Sequence, residues 1–394
     1  IIHHDPHCFP QLEAIGLPNA FLETIKEGVI ESSEAVNCIA LTLDALCINQ
    51  EVLERVRTST GPCGALSCFI PMFTTRAYLR PLQADMPAAI GNGLDELMRH
   101  APALRPAGIQ MATQILQNLC VMGGCSNPPG QAPITDTASG SKAVSDPSPV
   151  SMDTTPVEGT APAPTEDSSA PSSQQPTEEY LPTCISNTAR LLEMLASHPD
   201  TARLFVEKKG IELLLQLYSL PNLPLSCGGT REMQALSVSF RAFLPNHAAT
   251  CARLVRRFLH QHLQKVNQCG QDLSKADGSN VTESERGQVR DAYVRAISSA
   301  EGLVNLCTTL VRLTPNMLSE LTSQGMEVLE ALGEAQHMAQ WQFALSEHAT
   351  SKKSPKGAAS KSTATPPAAS GPTEAAPAAS AAGEAAETGR EDTL

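Results

Sequence analysis

Aromatic residues make up only 4% of the 394-residue chain, and Trp341 is the sole tryptophan. Alternating β-branched runs are nearly absent too, which removes the usual material of half-buried strands and leaves helix as the expectation throughout. No apolar run approaches the roughly 20 residues that a membrane-spanning helix needs, and no charged-then-apolar secretory signal opens the chain. These absences argue against a membrane partner and point to the cytoplasm or the nucleus. Also missing are G-x-S-x-G, a phosphate-binding Walker loop, the dinucleotide glycine fingerprint and H-E-x-x-H. The motifs therefore imply no cofactor and no catalytic residue.

Charge and proline are unevenly spread. From about Ser126 to Tyr180 the chain is Pro, Ser, Thr, Ala and Gly, with eight acids against Lys142 alone. Such a segment cannot bury enough apolar surface to offset its ordering entropy, so it reads as disordered. The tail from about Ser346 repeats the pattern with six acids against five bases. Of the net charge of −13, about −5 is left for the folded parts, too mild to argue for any charged partner.

Twelve cysteines would suit a disulfide framework in a small secreted protein, but here they are scattered and no secretory signal precedes them. Cys38, Cys47, Cys120, Cys251 and Cys307 fall among leucines on apolar helical faces, as reduced thiols used for packing do.

Glycine supplies a recurring grammar. In AIGLPNAFLETI (Gly16), PAGIQMATQIL (Gly108), FVEKKGIELLLQLYSLP (Gly210), SAEGLVNLCTTL (Gly302) and SQGMEVLEAL (Gly325) a glycine is followed at once by an apolar residue that opens an amphipathic stretch. The spacing predicts a short helix that ends, a turn at the glycine, and a new helix. Short helices are marginal alone and must bury a face against neighbours, which is the logic of stacked helical repeats.

The expected organisation is all-α: an armadillo/HEAT-like α-solenoid in two blocks, 1–125 and 182–345, separated by a disordered acidic linker at 126–181 and followed by a disordered tail at 346–394. In the first block, Asp5-Pro6 can start a helix, Ser33 to Asn49 carries a clear stripe with Asn49 as its stop, and Gly64 to Arg80 is a helix that Pro71 kinks. In the second, Ala248 to Val266 is one long helix, a surface loop covers about 268–287, and helices resume from Gln288. Ile1 and Ile2 offer no polar cap, so the chain reads as a piece of a longer array that self-associates when isolated.

Candidate chemistry is sparse. His3 to Cys8 (HHDPHC) has metal-ligand types, but Pro6 prevents the regular helix that would bring His3 and His7 together, and no second ligand cluster with zinc spacing appears, so no metal is expected. His260 and His262 are two apart on a helix and face opposite ways. Cys184 in LPTCIS has no histidine nearby in sequence to serve as its base. Arg253, Arg256, Arg257 and His260 line one face of a helix whose other face is Leu254, Val255, Phe258, Leu259 and Leu263. Without interleaved aromatics the stripe does not suit nucleic acid, and a solvated face is its plainest reading; if it binds, an acidic protein segment fits. Asn280-Val281-Thr282 matches a glycosylation sequon, a chance match without a secretory signal. Ser148-Pro149, Thr155-Pro156 and Ser354-Pro355 are candidate proline-directed phosphorylation sites.

Four strings, DPHCFPQLEAIGLPNAFLETI, FTTRAYLR, GLDELMRH and FVEKKGIELLLQLYSLPNLPLS, together resemble the armadillo-like N-terminal region of the giant HECT-type ubiquitin ligases, the plant ubiquitin-protein ligase group with its animal and fungal relatives. The resemblance covers both blocks in the same order; Pro71, the 126–180 insertion and the Ala/Pro tail depart from it. It implies a scaffold that docks protein substrates and packs on neighbouring solenoid repeats of a parent chain. Ubiquitin and its conjugating enzyme would be engaged only through a distant HECT domain. No cysteine follows Cys307, so no transfer activity is expected of this chain alone. An armadillo-type adaptor unrelated to ubiquitin is the alternative, and a free-standing cysteine enzyme built on Cys184 a third.

Overall fold

Serine and asparagine caps, not the helix formers, set the rhythm of the first helices. α1 (Phe9–Ala14) and α2 (Leu17–Glu27) meet at Gly16, whose φ of 75° supplies the left-handed turn expected there. Ser32 Oγ accepts from the Ala35 amide at 3.1 Å and opens α3 (Ser33–Leu46). Asn49, expected to stop that helix, instead starts the next: its Oδ1 accepts from the amides of Glu51 and Val52, at 2.9 and 3.2 Å, at the head of α4 (Gln50–Thr58). An Asn between two apolar stripes reads the same whether it ends one helix or begins another.

The continuous helix expected from Gly64 to Arg80 is broken. A 3-10 stretch (Gly61–Cys68), α5 (Phe69–Thr74) and a second 3-10 turn (Arg76–Leu79) replace it. Pro71 sits in the first turn of α5, where an amide has no intrahelical acceptor to lose, so it bends nothing. The break lies at Gly64, φ 56°, where an added Cβ would stand 2.2 Å from the Val56 carbonyl oxygen. Next come α6 (Met86–His100) and α7 (Arg105–Met122).

The second stretch begins inside the segment expected to be linker. α8 runs Thr177–Leu195, and Leu181 within it is fully buried. Then follow α9 (Pro199–Glu207), α10 (Gly210–Gln216), α11 (Arg231–Ser239), α12 (Leu244–Asp277), α13 (Glu283–Leu313), α14 (Met317–Thr322) and α15 (Met326–Lys353). The loop expected at 268–287 is helical as far as Asp277 and again from Glu283. Val266, Gly270 and Leu273 continue the buried stripe of α12 and α15 covers it, with Gln342 Nε2 donating to the Gly270 carbonyl at 3.1 Å. Thr282 and Glu285 then form a reciprocal capping box that starts α13. Thr282 is thus the helix cap; the other sequon positions lie outside the described residues.

The computed structural model describes residues 6–59, 61–126, 177–277, 282–322 and 326–353. Within those there is no strand. Most of the expected linker, most of the tail, His3 to Asp5, Gly325 and the three Ser/Thr-Pro sites lie outside them. The chain forms two compact units, Ile1–Leu345 and Ser346–Leu394, and in the second the described residues are the last turns of α15.

The first unit is an α-solenoid with two rows of helices. In one row α3, α6, α8, α11 and α13 each pack on the next, and α13 closes on α12. In the other, the Gly61–Cys68 stretch, α7, α10 and α12 succeed one another. The stretches before and after 126–176 meet directly. α6 and α8 cross so closely at Gly91 that a Cβ there would be 2.5 Å from the Leu191 carbonyl oxygen, and Arg105 of α7 pairs with Asp200 of α9 at 2.9 Å. α7 is buried nearly all round, from Ala107 to Cys120, as the central helix of such a stack must be.

Only part of the glycine grammar describes turns. Gly108 and Gly302 lie inside α7 and α13, where they make room for Met98 and Tyr218. At the 209–210 junction the left-handed residue is Lys209, φ 60°, while Gly210 opens α10 beneath the ring of Phe205. A glycine at a turn and a glycine at a helix crossing have the same apolar neighbours in sequence.

Candidate functional site

α12 presents two chemically distinct faces. Leu254, Val255, Phe258, Leu259 and Leu263 are buried, and the helical period carries Arg253, Arg256, Arg257 and His260 to the other side. Arg253 and Arg257 are exposed, Arg256 and His260 half-buried. The side-chain amide of Gln264 donates to His260 Nε2 at 2.8 Å, fixing that ring on the same face. No acid occurs in α12 before Asp272. Neither Arg253 nor Arg257 has an ion-pair partner among the described residues. Arg253 and Arg257, left unneutralised by their own helix, offer long-range attraction and bidentate donors to a carboxylate-bearing partner.

His262 faces away from this stripe. Its ring stacks on Phe258 with centroids 5.8 Å apart, and Nδ1–H donates to the Phe258 carbonyl at 2.7 Å. Burial, with the nearby Lys265 ammonium, holds its pKa below the ordinary imidazole value, so the ring is neutral at pH 7. The two histidines of α12 therefore do different things and share no ligand.

The other candidates are placed as follows. Cys184 is buried in α8, and burial pushes its thiol up to about 12. A thiol so protonated is no nucleophile at neutral pH. Cys47, Cys120 and Cys251 are buried and Cys307 is half-buried, but Cys38, expected on an apolar face, is exposed. Its stripe neighbours Val36, Ile39 and Leu43 turn inward and leave position 38 on the outer side of α3. His7 and Cys8 lie at the 3-10 turn Pro6–Cys8. No group of three or more His, Cys, Asp or Glu able to hold a metal occurs among the described residues, and none of their helices is long and apolar enough to cross a membrane.

The cationic stripe was legible from helical spacing. Lys265, Arg295 and Ser299 were not, because they converge on one cavity from two helices and meet a non-helical strap from a third stretch, residues 220–227. No linear spacing links the three.

Known proteins carry a similar segment. E3 ubiquitin-protein ligases UPL2 and UPL1 of Arabidopsis thaliana are each 36% identical over 318 residues, 78% of this chain and 8% of each relative. The E3 ubiquitin-protein ligase ptr1 of Schizosaccharomyces pombe is 30% identical over 111 residues, 28% of this chain and 3% of its own length. The resemblance to ubiquitin ligases drawn from the residues is thereby borne out, and the chain spans a small fraction of the relatives it matches. A family model described as Domain of Unknown Function (DUF913) matches residues 1–226, more than half of the chain, which therefore belongs to that family.

Proposed function

We propose that this chain is a non-catalytic scaffold within a ubiquitin ligase, and that α12 docks an acidic segment of a protein substrate. The similarity to ubiquitin ligases supports that setting, and the cytoplasm or the nucleus is where we place it. The observation that carries the docking reading is the exposed, unneutralised pair Arg253 and Arg257 on a helix with no acid before Asp272. In the parent, ubiquitin would pass through a HECT-type domain elsewhere. The solenoid's part is to hold substrate near that centre and so raise its effective concentration there.

The test is charge reversal in the full-length ligase. Removing residues 182–345 would also strip α8 from α6, so a surface change is the cleaner tool. Arg253→Glu with Arg257→Glu should slow ubiquitin transfer to acidic substrates while the reductant-sensitive ubiquitin adduct on the enzyme forms at its normal rate. Unchanged substrate transfer would remove α12 as a docking face, and an equal loss of adduct would end the division between scaffold and catalytic domain.

A further inference from the structure

A cavity of about 160 Å³ lies between α12, α13 and the strap that follows α10. The strap is anchored on both sides. The Asn222 amide N–H donates to the Gly123 carbonyl at 3.0 Å and its Nδ2 to the Met122 carbonyl at 2.9 Å. From α13, Arg295 Nη1 donates to the carbonyls of Pro221, at 2.6 Å, and Leu223.

The cavity's polar lining is unbalanced in charge. Lys265 comes from α12, Arg295 and Ser299 from α13, and no Asp or Glu lines it among the described residues. Glu301, the acid that acts on Cys227 together with Arg295, stands over Gly229 instead. Lys265 is exposed and forms no ion pair among the described residues. Ser299 is 6% exposed, and its hydroxyl has no hydrogen-bond partner among them. A buried hydroxyl without a partner is uncommon in folded proteins and marks a place where another group can supply the bond. The neutral His262 ring shares the lining, and the titratable groups around it are Tyr218 and Cys227 from the strap side, Lys265 from α12 and Arg295 from α13. None of those four carries negative charge at pH 7.

We infer that this cavity receives a single carboxylate side chain, Asp or Glu, from a protein partner. Lys265 supplies the ion pair, Ser299 a hydroxyl donor and Arg295 a fixed positive field, since its Nη1 is already committed to the strap. One free ammonium and one hydroxyl suit a monovalent carboxylate better than a phosphoryl dianion, which calls for more donors. The volume admits one side chain and excludes a folded element. The inference extends the acidic-partner reading, because Lys265 stands about two turns beyond Arg257 on α12, and it is tested apart from it.

The test uses the whole chain with histidine labelled at carbon, following the His262 Cε1 resonance, identified by its loss in His262→Gln. The probes are N-acetyl-glutamate N-methylamide, its glutamine counterpart and N-acetyl-phosphoserine N-methylamide. The glutamate probe should shift the resonance saturably and raise the His262 pKa, because a carboxylate offsets the cations around the ring; the glutamine probe should do neither. Lys265→Met, at an exposed position, should weaken glutamate binding about tenfold, and Ser299→Ala should weaken it with the thermal melt unchanged. No response, an equal response to the glutamine probe, or tighter binding of phosphoserine each overturns the assignment. Arg253→Glu with Arg257→Glu should leave the titration intact, so this inference and the docking reading fail separately.

Discussion

Gly91 and Leu191, a hundred residues apart in sequence, face each other where α6 crosses α8: a Cβ at position 91 would lie 2.5 Å from the Leu191 carbonyl oxygen and 2.8 Å from the Met194 Cβ. Neither atom belongs to the free end of a flexible side chain, so an added methyl must push the two helices apart. Gly91→Ala should lower stability by about 1–3 kcal/mol, the usual range for overpacking. The control is Gly287→Ala in α13, where nothing lies within 4 Å of the new Cβ and helix propensity alone acts. That change should raise stability by about 1 kcal/mol. Urea unfolding of the whole chain reads both. A Gly91→Ala chain as stable as the parent would mean that α6 and α8 do not meet as described.

The same crossing shows what the sequence could and could not reveal. Apolar stripes on α3 and α12 follow from helical period alone, because burial on one face is written every three to four residues. Crossings are not written that way. Gly91 carries no local mark that separates it from Gly16, which turns the chain, although one faces a carbonyl of a distant helix and the other open space. The start of α13 does carry a local mark, because Thr282 and Glu285 are spaced as a capping box. The α12 stripe was found because all its members sit on one helix, whereas the cavity by Lys265 needed three separate stretches to be folded first.

Alkali should unfold the chain sooner than its surface charge implies. Burial pushes the thiols of Cys120, Cys184 and Cys251 up to about 12, whereas in an unfolded chain a thiol ionises near about 8.5. Between those values the unfolded state sheds protons that the native state keeps, so stability is full below about pH 8.5 and falls as pH rises toward about 12, at up to about 1.4 kcal/mol per pH unit for each such thiol. Cys184→Ala should be less stable than the parent at pH 7 by of order 1 kcal/mol, with the gap closing by pH 10. Urea midpoints across that range give the slope. Parallel curves for the two chains would mean that Cys184 reaches water and would restore it as a candidate nucleophile.

One face of α15 carries exposed apolar side chains. Leu329 and Leu332 are 58% and 42% exposed, and Phe343, 64% exposed, falls on the same side of the helix, an apolar density that water tolerates poorly. If this face pairs with a second copy of the chain, the sedimentation coefficient should rise with concentration. Leu329→Glu with Leu332→Glu should hold the chain monomeric at every concentration. Both changes lie on exposed positions, so the fold has no reason to respond. Trp341 is 54% exposed on another side of the helix, beside Lys275 of α12, so its emission should stay that of a wet indole in both chains. Association that persists in the doubly charged variant would mean that the apolar side chains of α15 at 329 and 332 are not what drives it.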